Sequence, residues 1–105
     1  QPIEPQIIVE APVAPAHLAT VRRGMRACVE SGSCRALADL SVPVAGKTGT
    51  AQWSADKKTH AWFTAFAPVG QPEIAVSIII EEGGEGSKTA VPVAREFFQY
   101  WSRAR

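Results

Sequence analysis

The sequence contains no asparagine, and its single methionine is Met25 rather than the first residue. The first absence excludes any site element of the form Ser-x-Asn. An excess of one charge is also missing, since eleven Lys+Arg against ten Asp+Glu leave +1. With no basic run longer than Arg22-Arg23 or Lys57-Lys58, the electrostatic case for a nucleic-acid partner is removed, because such proteins concentrate positive charge against phosphates. Long apolar runs are absent. The longest, Ile74 to Ile80 with Ser77 inside it, falls far short of the roughly 20 residues that a membrane helix requires, so no membrane span is expected. Two cysteines with no histidine beside them make a poor zinc site, and no metal or other cofactor is expected. The chain opens at Gln1-Pro2 with neither an initiator methionine nor a charged-then-apolar leader, so it reads as an excised piece.

What is present is ordinary for a globular chain. The 105 residues are 46% hydrophobic and 20% charged, which suits one domain or part of one. Four of the eight prolines fall at positions 2, 5, 12 and 15, so residues 1–14 are expected to form an extended leading segment. Within it Gln6 to Glu10 is a candidate edge strand. From Pro15, a natural first-turn residue, Leu18, Val21, Met25, Cys28 and Val29 recur at three- and four-residue steps. That spacing predicts a helix over about 15–31, with Arg22, Arg23, Arg26 and Glu30 on its other face and Ser31-Gly32-Ser33 as its stop.

Three strands follow, Ser41 to Gln52, His60 to Pro68 and Glu73 to Glu81, joined by links that suit antiparallel hairpins. Neither face of the third strand is truly polar, so it expects cover on both faces and neighbours on both edges. A last helix is predicted from about Lys88 or Thr89, with Pro92 tolerated only in its first turn and Ala94, Phe97, Phe98 and Trp101 as its apolar stripe. The fold class is therefore α+β, an antiparallel three-stranded sheet packed with two helices. Such a sheet has two edges, and an open Ile-rich edge is suited to pairing with another segment or another chain.

Lys47-Thr48-Gly49-Thr50 lies inside the first strand. A phosphate-binding loop needs glycine five positions before its Gly-Lys-Thr; position 41 is Ser, and a β-branched stretch stands where a flexible loop should be. The other user of this triplet is the set of penicillin-recognising serine enzymes, where it lies on a strand beside the nucleophile. An extended backbone presents an ammonium, hydroxyls and a free N–H along one line, and the small Gly49 lets an acyl-peptide backbone lie close.

Four strings then occur in order: Val42 to Gln52 around the triplet, His60 to Pro68, Glu73 to Gly84, and Ala90 to Arg95. Together they resemble the end of the class B penicillin-binding proteins, most closely the elongation type, and the helix opening Pro15 to Met25 is similar as well. The resemblance implies that residues 15–105 are the C-terminal portion of a peptidoglycan D,D-transpeptidase domain. Lys47 would help position protons and the substrate carboxylate, the Thr48 and Thr50 hydroxyls would bind that carboxylate beside Gly49, and the Thr50 N–H would be an oxyanion-hole donor. The implied ligands are the peptidoglycan stem peptide and β-lactam antibiotics. The implied location is the periplasmic side of the bacterial inner membrane. A β-lactam-hydrolysing relative shares the triplet but fits the flanking strings less well.

The family's Ser-x-x-Lys nucleophile and Ser-x-Asn element both precede this strand. The second is impossible without asparagine, and the one literal Ser-x-x-Lys, Ser54 to Lys57, lies in the polar link after the strand, where Ser54 is expected to be exposed and Lys57 solvated. The nucleophile is thus expected outside these residues and the chain alone is expected to be inactive. A reading from another class is a non-catalytic module that docks a partner through its open strand.

The remaining residues suit bland roles. A periplasmic location would permit a Cys28–Cys34 disulfide, but the helical stripe places Cys28 in the core, and unpaired thiols are the favoured expectation. His17 and His60 read as surface or strand-end groups, and Asp39 and Asp56 as loop carboxylates with little support for a Ser-His-Asp triad. Trp62, Phe63 and Phe66 are expected in the core on alternate faces. Trp53 suits either ligand contact or hairpin packing. The Gly83 to Gly86 loop, flanked by Glu81, Glu82 and Glu85, suits a flexible turn better than a phosphate cradle.

Overall fold

The computed structural model describes residues 2–10 and 12–105. Helix α1 spans Pro15–Ser31 and is followed by a single 3-10 turn at Arg35–Leu37. Strands β1 (Ala45–Ala51), β2 (His60–Ala67) and β3 (Ile74–Ile80) come next, and helix α2 (Gly86–Ala104) closes the chain. The sheet is antiparallel in the order β1-β2-β3, with Thr48 opposite Phe63 and Phe63 opposite Ile78. The expected α+β class, with three strands and two helices, is what forms.

Both helices lie on one face of this sheet, for a reason visible along β2. Its alternate residues Ala61, Phe63, Ala65 and Ala67 are buried, whereas Trp62 and Thr64 between them are exposed. Three alanines around one phenylalanine let α2 settle close through its own small residues Ala90 and Ala94, with Val91 and Phe98 filling the space beside Phe63. From α1 only Val29 is fully buried, joined in the core by Leu37, Val42 and Val44. Gly46 makes room for the core ring: a Cβ there would stand 2.5 Å from the end of Phe63. Arg26, expected on the polar face of α1, instead donates to the Val44 carbonyl at 2.7 Å and ties the helix to the start of β1.

Several expectations are corrected. Gln6 to Glu10 form no strand, and Ile7 and Ile8 are exposed. The first strand starts at Ala45 rather than Ser41, because the preceding Val42-Pro43-Val44 segment supplies core contacts and a carbonyl for Val69 instead of a ladder. Helix α2 begins at Gly86, ahead of Lys88, which puts Pro92 in the second turn. There the proline removes one ladder hydrogen bond at an ordinary cost of about 3 kcal/mol. Its solvent-facing side and the burial of Ala90, Val91 and Ala94 around it explain why the helix continues. Val21, expected in the apolar stripe of α1, is exposed. Trp62 points away from the helices and is 41% exposed, so it is not a core residue, and Phe66 on the same side is half-buried.

Cys28 and Cys34 form a disulfide, not two free thiols. The turn at Gly32 reverses the chain, Cys34 N–H donates to the Cys28 carbonyl at 3.0 Å, and the two Cα atoms come to 5.1 Å, within bridging range. Six-residue spacing alone did not reveal this, because the pairing depends on how the helix ends.

Beyond that turn the loop is clamped by α2. Arg95 donates to the Ala36 carbonyl and to both oxygens of Asp39, at 2.5 and 3.2 Å. The Arg95 hydrogen bonds, and then its charge, hold the Asp39 carboxyl below the ordinary value of 3.8. A depressed folded-state pKa stabilises fully above the unfolded value and is lost as pH falls through it toward the folded value. Wild type is therefore expected to lose more stability below about pH 4 than Asp39→Asn, by a small margin because Asp39 is 76% exposed. Unfolding midpoints measured from pH 7 down to 3 check this, and parallel curves for the two proteins would refute it.

Candidate functional site

Strand β1 is an edge strand, and Lys47 to Thr50 occupy its centre with alternating orientation. Thr48 and Thr50 turn toward the helices, whereas Lys47 and Gly49 share the opposite face with Trp62, Thr64, Ser77 and Ile79. No helix among the described residues covers that second face, where Ile79 is 45% exposed. The string therefore stands on an open edge beside an uncovered face, with no enclosed cavity formed among the described residues.

The hydroxyls are held from behind. The Thr50 Oγ1 lies 3.4 Å from the Gly86 N–H at the first residue of α2. An N–H can only donate, so the Thr50 hydroxyl accepts there and keeps its own proton for another group. Thr48 Oγ1 lies 2.8 Å from Ser33 Oγ, in the loop after α1. The exposed Lys47 ammonium donates to the Thr48 carbonyl at 2.5 Å, which leaves two of its three N–H bonds free. Gly86 is required by this arrangement: a Cβ would lie 2.4 Å from the Trp62 carbonyl oxygen and 2.6 Å from that of Gly49. The glycine loop ahead of α2, expected to be a flexible turn, thus ends on the sheet backbone itself. Gly84 in that loop has φ +85° and donates to the Thr59 carbonyl at 3.0 Å.

Other singled-out residues are placed elsewhere. Ser54 is half-buried rather than exposed, and its hydroxyl donates to Asp56 Oδ1 at 2.6 Å, which holds that carboxyl below its usual range. Its proton goes to a carboxylate and not to Lys57, which is exposed. Trp53 packs within the hairpin, its ring stacked on His60 with centroids 5.0 Å apart and its indole N–H donating to the Lys58 carbonyl at 2.9 Å. His60 accepts from the Glu82 N–H at Nδ1, so it ties the end of β3 to the start of β2. His17 is exposed in the first turn of α1. No cluster of three potential metal-ligating side chains occurs among the described residues. Sequence reasoning missed Ser33 and Gly86, because nothing in periodicity brings a helix stop or a glycine loop to a distant strand.

Residues 2–99 match the family model described as the penicillin-binding protein transpeptidase domain. The chain belongs to this family. Among curated relatives it is 37% identical to the peptidoglycan D,D-transpeptidase MrdA of Haemophilus influenzae, over 80% of this chain and 16% of that protein. It is 40% identical to PbpA of Mycolicibacterium smegmatis over 51% of the chain and 13% of that protein. Among solved structures, Pseudomonas aeruginosa PBP2 in complex with WCK 5153 superposes with a TM-score of 0.80 at 35% identity, covering 95% of this chain and 23% of that one. The imipenem acyl-enzyme of penicillin-binding protein A from M. tuberculosis gives 0.70 at 29% identity, over 89% of this chain and 20% of that one. This transpeptidase-family chain thus spans less than a quarter of the length of these relatives.

Proposed function

We propose that these residues are the C-terminal portion of a peptidoglycan D,D-transpeptidase and supply the Lys47-Thr48-Gly49-Thr50 wall of its active site. The supporting observation is the presentation of that string: an edge strand whose outer side is free, with one face uncovered and two threonine hydroxyls backed from behind. A stem peptide, or a β-lactam in its place, lies along this edge with Gly49 giving backbone access. Its carboxylate accepts hydrogen bonds from the Thr48 and Thr50 hydroxyls, and the Lys47 ammonium, reaching the edge from the opposite face, adds a charged donor. The Thr48 carbonyl takes the Lys47 ammonium, and Thr50, two residues on, shares the orientation of Thr48, which suits its N–H to stabilise the oxyanion of the tetrahedral intermediate.

The attacking serine, its lysine and the Ser-x-Asn element come from polypeptide outside these 105 residues, a division supported by the missing asparagine and by the Ser54 hydroxyl donating to Asp56. Residues 15–105 form this part of the domain, and residues 1–14 lead into it. The protein acts at the periplasmic side of the inner membrane, an oxidising setting in which the Cys28–Cys34 disulfide persists. The 105-residue chain treated with a fluorescent penicillin is expected to show no covalent adduct, whereas the complete protein labels at one serine upstream of Gln1. An adduct on Ser54 would overturn this division of the site.

A further inference from the structure

We propose that Ser33, held in place by the Cys28–Cys34 disulfide, is a positioning residue that turns the Thr48 hydroxyl into a donor for the ligand carboxylate, so that ligand capture depends on the redox state of this cysteine pair. The inference rests on the reading of Thr48 as a carboxylate-binding residue.

Ser33 is the residue before Cys34, inside the short loop that the disulfide closes. Cys34 is fully buried, and its N–H and sulfur are both fastened to Cys28 at the end of α1, so the backbone on the C-terminal side of Ser33 is fixed. On the other side Gly32 packs directly against Cys28: its N–H donates to the Cys28 carbonyl at 3.0 Å, and a Cβ there would stand 3.0 Å from the Cys28 Cα. Ser33 is thereby aimed at β1, where its Oγ stands 2.8 Å from Thr48 Oγ1 and 3.4 Å from Cys28 Sγ.

The proton count decides the direction. A hydroxyl has one proton and accepts through its lone pairs, while a disulfide sulfur has no proton and only accepts, weakly. Among the described residues Ser33 therefore has two acceptors in reach and no donor other than Thr48 itself. When Thr48 donates to a carboxylate, Ser33 donates to Thr48, and the two hydroxyls form a polarised chain ending on the anion. Thr50 is held the same way by the Gly86 N–H, so both threonines present their protons to one side of the strand. Reduction changes the arrangement. An external dithiol delivers two electrons and two protons, the Cys28–Cys34 bond becomes two thiols, and the dithiol closes to its own disulfide. The loop then loses the covalent tie that holds Ser33 against Thr48.

The test uses the complete transpeptidase and a fluorescent penicillin, with the noncovalent capture constant and the limiting acylation rate measured separately, before and after treatment with dithiothreitol. Mass analysis of the peptide containing Cys28 and Cys34 reports its oxidation state. Ser33→Ala is expected to weaken capture by roughly 3- to 10-fold with the limiting rate unchanged, and Ser33→Thr to restore it. Reduction is expected to weaken capture in wild type to a similar degree and to add nothing in Ser33→Ala. Equal capture by Ser33→Ala and wild type, or equal losses on reduction in both, would overturn the proposal. Thr48→Val separates the two levels: if it leaves capture unchanged the carboxylate reading itself fails, whereas a loss there with none at Ser33 refutes the positioning role alone.

Discussion

Lys47→Ala in the complete protein is expected to lower the second-order rate of acylation by a fluorescent penicillin by about 100-fold or more, with no shift in the unfolding midpoint. The two halves of that result come from one observation. The Lys47 side chain is exposed on the uncovered face of the sheet, and among the described residues its Nζ is bonded only to the carbonyl of the next residue. Truncating an exposed side chain away from packed groups moves stability by no more than about 0.5 kcal/mol. The same truncation removes the only cation of the Lys47 to Thr50 string, where the proposed function puts the ligand carboxylate and the developing negative charge. Loss of one preorganised donor costs about 10² to 10³ in rate at comparable sites, and a charged donor lies toward the upper end of that range. Lys47→Arg keeps the charge but replaces a compact ammonium by a planar fork, so partial recovery is expected. Unchanged labelling of the alanine variant would remove Lys47 from the site.

Legibility in the sequence followed the range of the forces involved. Helix α1 was readable to both ends, since Pro15 presets its first turn and Gly32 ends it. The three strands were readable from alternation and turn chemistry, and so was their antiparallel order. The start of α2 was not, because Pro92 sets a local limit on where a helix should begin while Gly86 obeys a contact with Gly49 and Trp62, far away in sequence. The outward turn of Trp62 was hidden for a related reason. Register with a helix-facing Phe63 fixes which face is buried, and an aromatic side chain by itself does not say which. In the candidate site, Lys47, Thr48, Gly49 and Thr50 were legible as a contiguous string on one strand. What stands behind the hydroxyls was not, because Ser33 and Gly86 reach β1 from loops fifteen and thirty-six residues away.

Gly86 offers the sharpest stability test, because two general effects oppose each other there and their magnitudes decide. In an ordinary helix, replacing glycine by alanine stabilises by up to about 1 kcal/mol. At Gly86 the added Cβ would stand 2.4 Å from the Trp62 carbonyl oxygen, 2.6 Å from the Gly49 carbonyl oxygen and 3.1 Å from the Gly49 nitrogen. These are backbone atoms of a paired strand register and cannot rotate aside as a side chain would. Relief requires the first turn of α2 to lift from the sheet, which strains the packing of Ala90 and Val91 and carries the Gly86 N–H away from Thr50. Overpacking of this kind costs about 1 to 3 kcal/mol, so Gly86→Ala is expected to destabilise by about 2 kcal/mol net and to slow acylation as well. Gly24, midway along α1, is the matched control: nothing lies within 4 Å of a Cβ built there, so Gly24→Ala is expected to stabilise by about 0.5 to 1 kcal/mol. Denaturant unfolding of the two variants in the complete protein distinguishes the effects by sign. A stabilising Gly86→Ala would mean that α2 does not rest on β1 and β2, and the support behind Thr50 would go with it.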